Sequence, residues 1–213
     1  MSKNLVISIG RRCGSGGRKI GQMLAEKLGV KCYDKELMAL AAKESGLCKE
    51  LFEKNDEKST GSFLYSLFMD TYSSGYSSPA YMDMPINQKI FLAQFESIKN
   101  LERRESCIIV GRCADYVLAG CPNVVTVFIT GEDRERIKRL MECHDMDEND
   151  ARELMIRIDK ERSSYYNYYS NRHWGDSGNY DLCLDSSAIG LKSCVDLIEE
   201  FSRLKLDCSN KKR

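Results

Sequence analysis

Leu5-Val6-Ile7-Ser8-Ile9-Gly10-Arg11-Arg12-Cys13-Gly14-Ser15-Gly16-Gly17-Arg18-Lys19-Ile20 is the stretch on which the fold turns. A β-branched run, Leu5 to Ile9, leads into a glycine-rich turn and then into Ile20, Met23, Leu24 and Leu28 at helical spacing. That order is strand, loop, helix. Glycines let successive backbone N–H groups converge without Cβ interference, and the helix that follows turns its positive end toward whatever sits in the loop. A tight strand-to-helix turn also uses glycines, but Arg12, Arg18 and Lys19 place full positive charges within the same few residues. The loop is therefore expected to bind phosphate.

Outward from this loop the pattern repeats. Gly29 stands at a helix C-cap, and Val30 to Tyr33 forms a second strand, completing a βαβ opening of the usual size. Ile86 to Glu105 is an amphipathic helix leading to Cys107-Ile108-Ile109-Val110, a run short and apolar enough for a buried parallel strand. Val124 to Ile129 is a fourth strand, Asp133 to Cys143 a helix, Glu148 to about Ser170 a longer charged helix, Leu182 to Leu184 a fifth strand, and Leu191 to Leu204 a closing helix. Strands alternating with helices predict an α/β fold of three layers, a five-stranded parallel sheet with helices on both faces. One domain is expected over residues 1–213. Residues 54–85, rich in Ser, Tyr and Gly, are expected to form a mobile insertion. Its Phe63, Leu64, Leu67 and Phe68 make a homo-oligomer an option.

Composition narrows the function classes. The 213 residues carry 32 Lys plus Arg and 32 Asp plus Glu, a net charge of zero, which argues against holding nucleic acid by bulk electrostatics. No apolar run approaches the roughly 18 residues of a membrane span, and the N-terminus lacks the pattern of a secretory signal. A cytoplasmic protein without a membrane partner is expected. The ten cysteines include no C-x-x-C pair, so they are read as reduced thiols, with Cys32, Cys107 and Cys183 inside or beside apolar runs acting as small hydrophobes. His144 and His173 are expected at surface or lid positions, and no set of protein metal ligands is expected.

Two phosphate-binding fingerprints compete for the loop. The dinucleotide pattern G-x-G-x-x-G requires Gly14, Gly16 and a glycine at position 19, where Lys19 stands, although Asp34 mimics its ribose-binding acid. The mononucleotide pattern G-x-x-x-x-G-K-[ST] fits with Gly16 as its second glycine. Arg11, Gly17 and Arg18 then replace its first glycine, lysine and hydroxyl residue.

Further stretches follow successive strands: Tyr33-Asp34-Lys35-Glu36-Leu37, Ile108-Ile109-Val110-Gly111-Arg112, Asp159-Lys160-Glu161-Arg162 with Tyr165 and Tyr166, Trp174-Gly175-Asp176, and Tyr180-Asp181-Leu182 with Leu184-Asp185-Ser186-Ser187. Together with the loop, they make the chain resemble the cytidylate kinase-like family of the P-loop nucleoside monophosphate kinase group. The resemblance implies a P-loop NTPase-type fold with a helical lid over about 145–176. It also implies transfer of the ATP γ-phosphoryl group, with Mg²⁺, to a nucleoside monophosphate such as CMP or dCMP, or to a related small molecule. In this reading Arg12, Gly14, Ser15, Gly16, Gly17, Arg18 and Lys19 bind the nucleotide phosphates, and Arg18, Arg157 and Arg162 are catalytic. Arg152, Lys160 and Arg172 add lid charge, and Asp34, Arg112 and Asp115 hold the acceptor. Arg18 or Arg12 is expected to replace the missing lysine, and Ser15 or water to hold the metal. The chain departs from the family pattern where Gly111-Arg112 is followed by Cys113-Ala114-Asp115 and where Asp34 is followed by Lys35-Glu36-Leu37. The alternatives are a non-catalytic nucleotide-sensing protein with a degenerate loop, and a dehydrogenase.

Overall fold

The computed structural model describes residues 4–45 and 84–211. Five parallel strands, β1 (Val6–Arg11), β2 (Lys31–Tyr33), β3 (Cys107–Val110), β4 (Val124–Thr130) and β5 (Leu182–Asp185), form one sheet in the order β2-β3-β1-β4-β5. The α-helices among the described residues are α1 (Gly17–Leu28), α2 (Lys35–Ser45), α3 (Ile86–Arg104), α4 (Ala114–Val117), α5 (Asp133–His144), α6 (Glu148–Ser170) and α7 (Ser186–Lys211), the last kinked at Gly190.

The strand register explains the three layers. Ile7 lies between Ile108 and Val125, and Ile9 between Val110 and Val127, so one face of the sheet is a continuous row of β-branched side chains. Ile20 and Leu24 of α1 and Cys194, Val195 and Ile198 of α7 pack on that row. The alternate residues Val6, Cys107, Ile109 and Val124 face the other way, against Leu37 of α2, Ile98 and Leu101 of α3, and Ala114 and Val117 of α4. Each such side chain contributes roughly 1.5–3 kcal/mol when fully buried, and a strand apolar on both faces is stable only when covered on both. Because α1 leaves β1 toward one face and α4 leaves β3 toward the other, a crevice opens at the C-terminal ends of these neighbouring strands, where ligands sit in open parallel sheets.

The long helix α6 is held at two places. Its N-terminal half lays Ala151 and Met155 on Ile137 and Leu140 of α5 and on Cys13 of the glycine loop. Its C-terminal half drives Tyr165, Tyr166 and Tyr169 into a cluster with Phe91 and Leu92 of α3, and the rings of Phe91 and Tyr169 stack with centroids 4.0 Å apart. Asp147 caps its first turn by accepting the Asp150 N–H at 2.9 Å.

Three details differ from the sequence expectation. The closing helix begins at Ser186, where Asp185 Oδ1 accepts the Ser187 N–H at 2.8 Å, and the kink at Gly190 (φ 78°) precedes the predicted segment. Helix α4 was not foreseen, being too short at four residues for any periodicity to register. Cys183 is exposed rather than buried because β5 is an edge strand. Cys107 does sit in the core, where burial pushes its thiol up to about 12. His144 and His173 are exposed, as expected. The expected 54–85 insertion lies outside the described residues, apart from its last two. Among the described residues no helix is long and apolar enough to cross a membrane.

Candidate phosphate site

The glycine loop is built from the outside inward. Its backbone carbonyls are taken up by side chains of the surrounding helices. Arg162 of α6 donates to the Arg11 carbonyl at 3.3 Å, Arg136 Nε of α5 to that of Cys13 at 2.7 Å, Arg139 of α5 to that of Gly14 at 3.1 Å, and Ser186 Oγ of α7 to that of Ser15 at 2.6 Å. Of its amides, that of Arg12 donates to the Ile129 carbonyl at 3.0 Å, that of Ser15 to the Arg12 carbonyl at 3.3 Å and that of Cys13 to Asp159, so the loop is tied to β4 and α6 as well as to itself. Gly14 (φ 72°) and Gly16 (φ 78°) adopt left-handed backbone. A Cβ at Gly14 would lie 2.5 Å from the Arg136 carbonyl oxygen, and one at Gly17 2.5 Å from Arg11 Cβ. Only glycine fits this path. Gly17 then opens α1, which presents its positive end at the loop.

The predicted phosphate-binding side chains divide. Arg12 and Lys19 are exposed at the loop and the first turn of α1. Arg18 instead turns its Nε to Asp34 Oδ2 at 2.9 Å, so the loop cation and the predicted acceptor acid form one ion pair. The Ser15 side chain is fully buried and its hydroxyl donates to the Arg12 carbonyl at 2.8 Å, bracing the turn instead of facing a metal ion. Among the described residues no group of three or more His, Cys, Asp or Glu is gathered to hold a metal. A Mg²⁺ ion here would rest on phosphate oxygens and water, as magnesium commonly does.

Beside the loop, at the ends of β1 and β3, lies a narrow cleft. Its lining includes Arg11, Arg112, Asp115, Arg162, Tyr166 and Trp174, and it has room for about one water molecule, about 20 Å³. Arg112 is 3% exposed; desolvation, and then the neighbouring Arg11, lower its guanidinium to about 10, so it stays charged at neutral pH. A side chain at Gly111 would overlap the Arg11 guanidinium, so glycine there (φ 80°) lets that group lie flat against the backbone. The Asp34 charge works the other way, favouring the charged form of Arg112, and comes within 3.9 Å of Arg11; Asp115, also buried, accepts the Tyr166 hydroxyl at 2.7 Å. Burial raises the Asp115 carboxyl above its ordinary pKa, and burial with the Asp115 charge raises the Tyr166 and Tyr180 phenols. Three guanidiniums thus converge on one cleft, an arrangement that an entering anion would stabilise.

Of the residues singled out in the sequence, Arg112, Asp115 and Arg162 meet in this cleft, and Arg18 and Asp34 meet at its edge. Arg157 is exposed on α6, away from these contacts, as is Arg152, which pairs with Glu148 at 2.9 Å. Arg172 lies over the Tyr116 ring, 5.4 Å from its centroid. Sequence reasoning missed Arg136 and Arg139, and it quoted Asp159 and Ser186 in their motifs without giving either a role. A signal existed for Arg136, which shares the apolar stripe of α5 with Ile137 and Leu140 and is 1% exposed.

A parallel sheet in this order, with a glycine loop after its first strand and an arginine-bearing helix over it, defines a P-loop kinase fold. Comparison with known proteins agrees. The model of the cytidylate kinase-like family matches residues 6–188, and the chain belongs to that family. A crystal structure of an uncharacterized protein from Eubacterium ventriosum is 30% identical, with a TM-score of 0.69 over 94% of this chain and 99% of that one. Shikimate kinase from Bacteroides thetaiotaomicron shares the fold at 13% identity, with a TM-score of 0.52 over 92% of this chain and 97% of that one. Among curated proteins nothing matches. Family and fold together support a kinase-like role toward a nucleotide or other small molecule.

Proposed function

We propose that the protein transfers the γ-phosphoryl group of ATP to the phosphate of a nucleoside monophosphate, of the CMP or dCMP type, or to a related small molecule. The observation that carries this reading is the adjacency of two anion sites. The glycine loop and the three-guanidinium cleft share Arg11, whose carbonyl is bound by Arg162 and whose side chain lines the cleft. Two phosphate-bearing ligands seated there would meet at that residue. Bound Mg²⁺-ATP supplies the phosphoryl group and part of the charge neutralisation.

The loop amides from Cys13 to Gly17 hold the polyphosphate, and Arg12 and Arg18 contribute the charge that a P-loop lysine would bring, Arg18 after exchanging Asp34 for phosphate. Arg112 and Arg11 fix the acceptor phosphate, and Arg162 neutralises charge between donor and acceptor; phosphoryl transfer asks mainly for such positioning. Asp115, oriented by Tyr166, orients the remainder of the acceptor. The narrowness of the cleft requires α6 to lift before the acceptor enters, and its return excludes water. The whole chain serves as a single domain in this reading.

A coupled assay of the purified protein with Mg²⁺-ATP and a panel of monophosphates tests the proposal. Turnover with at least one acceptor is expected, and Arg112→Met should lower kcat/KM at least a hundredfold, mostly through KM. No turnover with any acceptor would overturn it. A second reading, a nucleotide sensor without turnover, is favoured by the Arg18–Asp34 pair, which withdraws one of the loop's cations. It predicts ATP binding with no product.

A further inference from the structure

Helix α6 does more than cover the glycine loop. Asp159 Oδ1 accepts the Cys13 N–H at 2.7 Å, and its other oxygen pairs with Arg136. Three residues on, Arg162 grips the Arg11 carbonyl. A carboxylate and a phosphate offer a backbone amide the same thing, an anionic oxygen at charge-assisted hydrogen-bond distance. One donor of the anion loop is therefore already occupied by an anion from the chain itself.

Resting on the reading of this loop as a polyphosphate site, we infer that Asp159 is a built-in competitor of the ligand. It docks on the Cys13 amide as a surrogate phosphate, and an incoming polyphosphate displaces it by lifting α6. Two features favour exchange over a permanent brace. Arg136, 2% exposed at its side chain, keeps Asp133 at 2.8 Å and the Cys13 carbonyl at 2.7 Å when Asp159 leaves, so no buried charge is stranded. The Asp159 side chain is itself 19% exposed, so the released carboxylate rehydrates readily. A carboxylate serving only to neutralise Arg136 would have no need of the loop amide.

The 213-residue chain carries one tryptophan, Trp174, which lines the cleft and meets the Phe128 ring edge-on at 5.4 Å. Its fluorescence in a stopped-flow experiment with inorganic tripolyphosphate, paired with calorimetric titration, reports both rate and affinity. For the wild type the observed rate should level off with rising tripolyphosphate, the plateau being the rate at which α6 lifts. Asp159→Ala, which leaves no side-chain acceptor for the Cys13 N–H, should bind tripolyphosphate about tenfold more tightly, the order of one charge-assisted hydrogen bond relieved of competition, with a raised plateau or none. A wild-type rate that climbs linearly without a plateau would overturn the inference, and it requires no variant to fold. A variant that binds no more tightly than a wild type that does bind would remove the competitor role alone. If calorimetry finds no binding to either protein, the loop is not a polyphosphate site, and the phosphoryl-transfer reading falls with it.

Discussion

Single residues carry the tightest constraints. Gly14 combines left-handed backbone with a carbonyl oxygen where a Cβ would go, so Gly14→Ala should cost about 2–3 kcal/mol, from backbone strain and overlap together. Thermal unfolding should show a Tm several degrees lower, whereas Gly29→Ala, with the same hand of backbone but open space around it, should lose only the strain part. Asp115 gives a pH signature. Burial raises its native pKa above the unfolded value, so the folded state holds the proton more tightly. Its contribution to stability is therefore present at low pH, and is lost as pH rises from about 4, the ordinary carboxylate value, through the raised native one. Asp115→Asn keeps an acceptor for the Tyr166 hydroxyl. It should flatten the fall of Tm across that window and raise Tm at neutral pH; a profile parallel to the wild type would show that Asp115 is not the group responsible.

At the scale of elements, α5 and α6 hold the loop more than the loop holds itself. Arg136 reaches Cys13, Asp133 and Asp159 at once. Its removal leaves carboxylates that reach water, since the Asp133 side chain is 64% exposed, so the cost is that of the lost charged hydrogen bonds and not of a stranded buried ion. Arg136→Met should destabilise by about 2 kcal/mol, on the order of 6 °C in Tm for a chain of this size. Hydrogen exchange should quicken in the loop and in the N-terminal half of α6. The tyrosine-anchored C-terminal half should keep its protection, because its partners are on α3.

For the whole molecule, a ligand that binds only the folded chain stabilises it by mass action. Mg²⁺-ATP at about a hundred times its Kd should add about 2.7 kcal/mol and raise Tm by roughly 5–10 °C, while a nicotinamide dinucleotide at equal concentration should leave Tm unchanged. How much of this could be read in advance depends on the range of the interactions. Strands such as Cys107–Val110 and the start of α6 at Glu148 announce themselves because a buried run or a capped, periodic segment is written locally. The placement of β1 between β3 and β4 is not, because register and neighbour order arise from contacts a hundred residues apart. The site divides on the same line. The glycines and Arg112 were legible from their motifs, but Arg18 meeting Asp34, and Asp159 meeting Cys13 across 146 positions, belong to the folded chain alone. One last consequence comes from the aromatic anchor of α6. With Tyr165 to Tyr169 fixed, the rest of the helix is a lever arm. Asp159 stands about 9 Å from the fulcrum and Glu148 about 25 Å, at 1.5 Å per residue. A swing of about 10° would carry Asp159 roughly 1.5 Å, enough to break its contact, and the far tip roughly 4 Å. Small adjustments of the tyrosine packing would thus be amplified into opening and shutting at the phosphate loop.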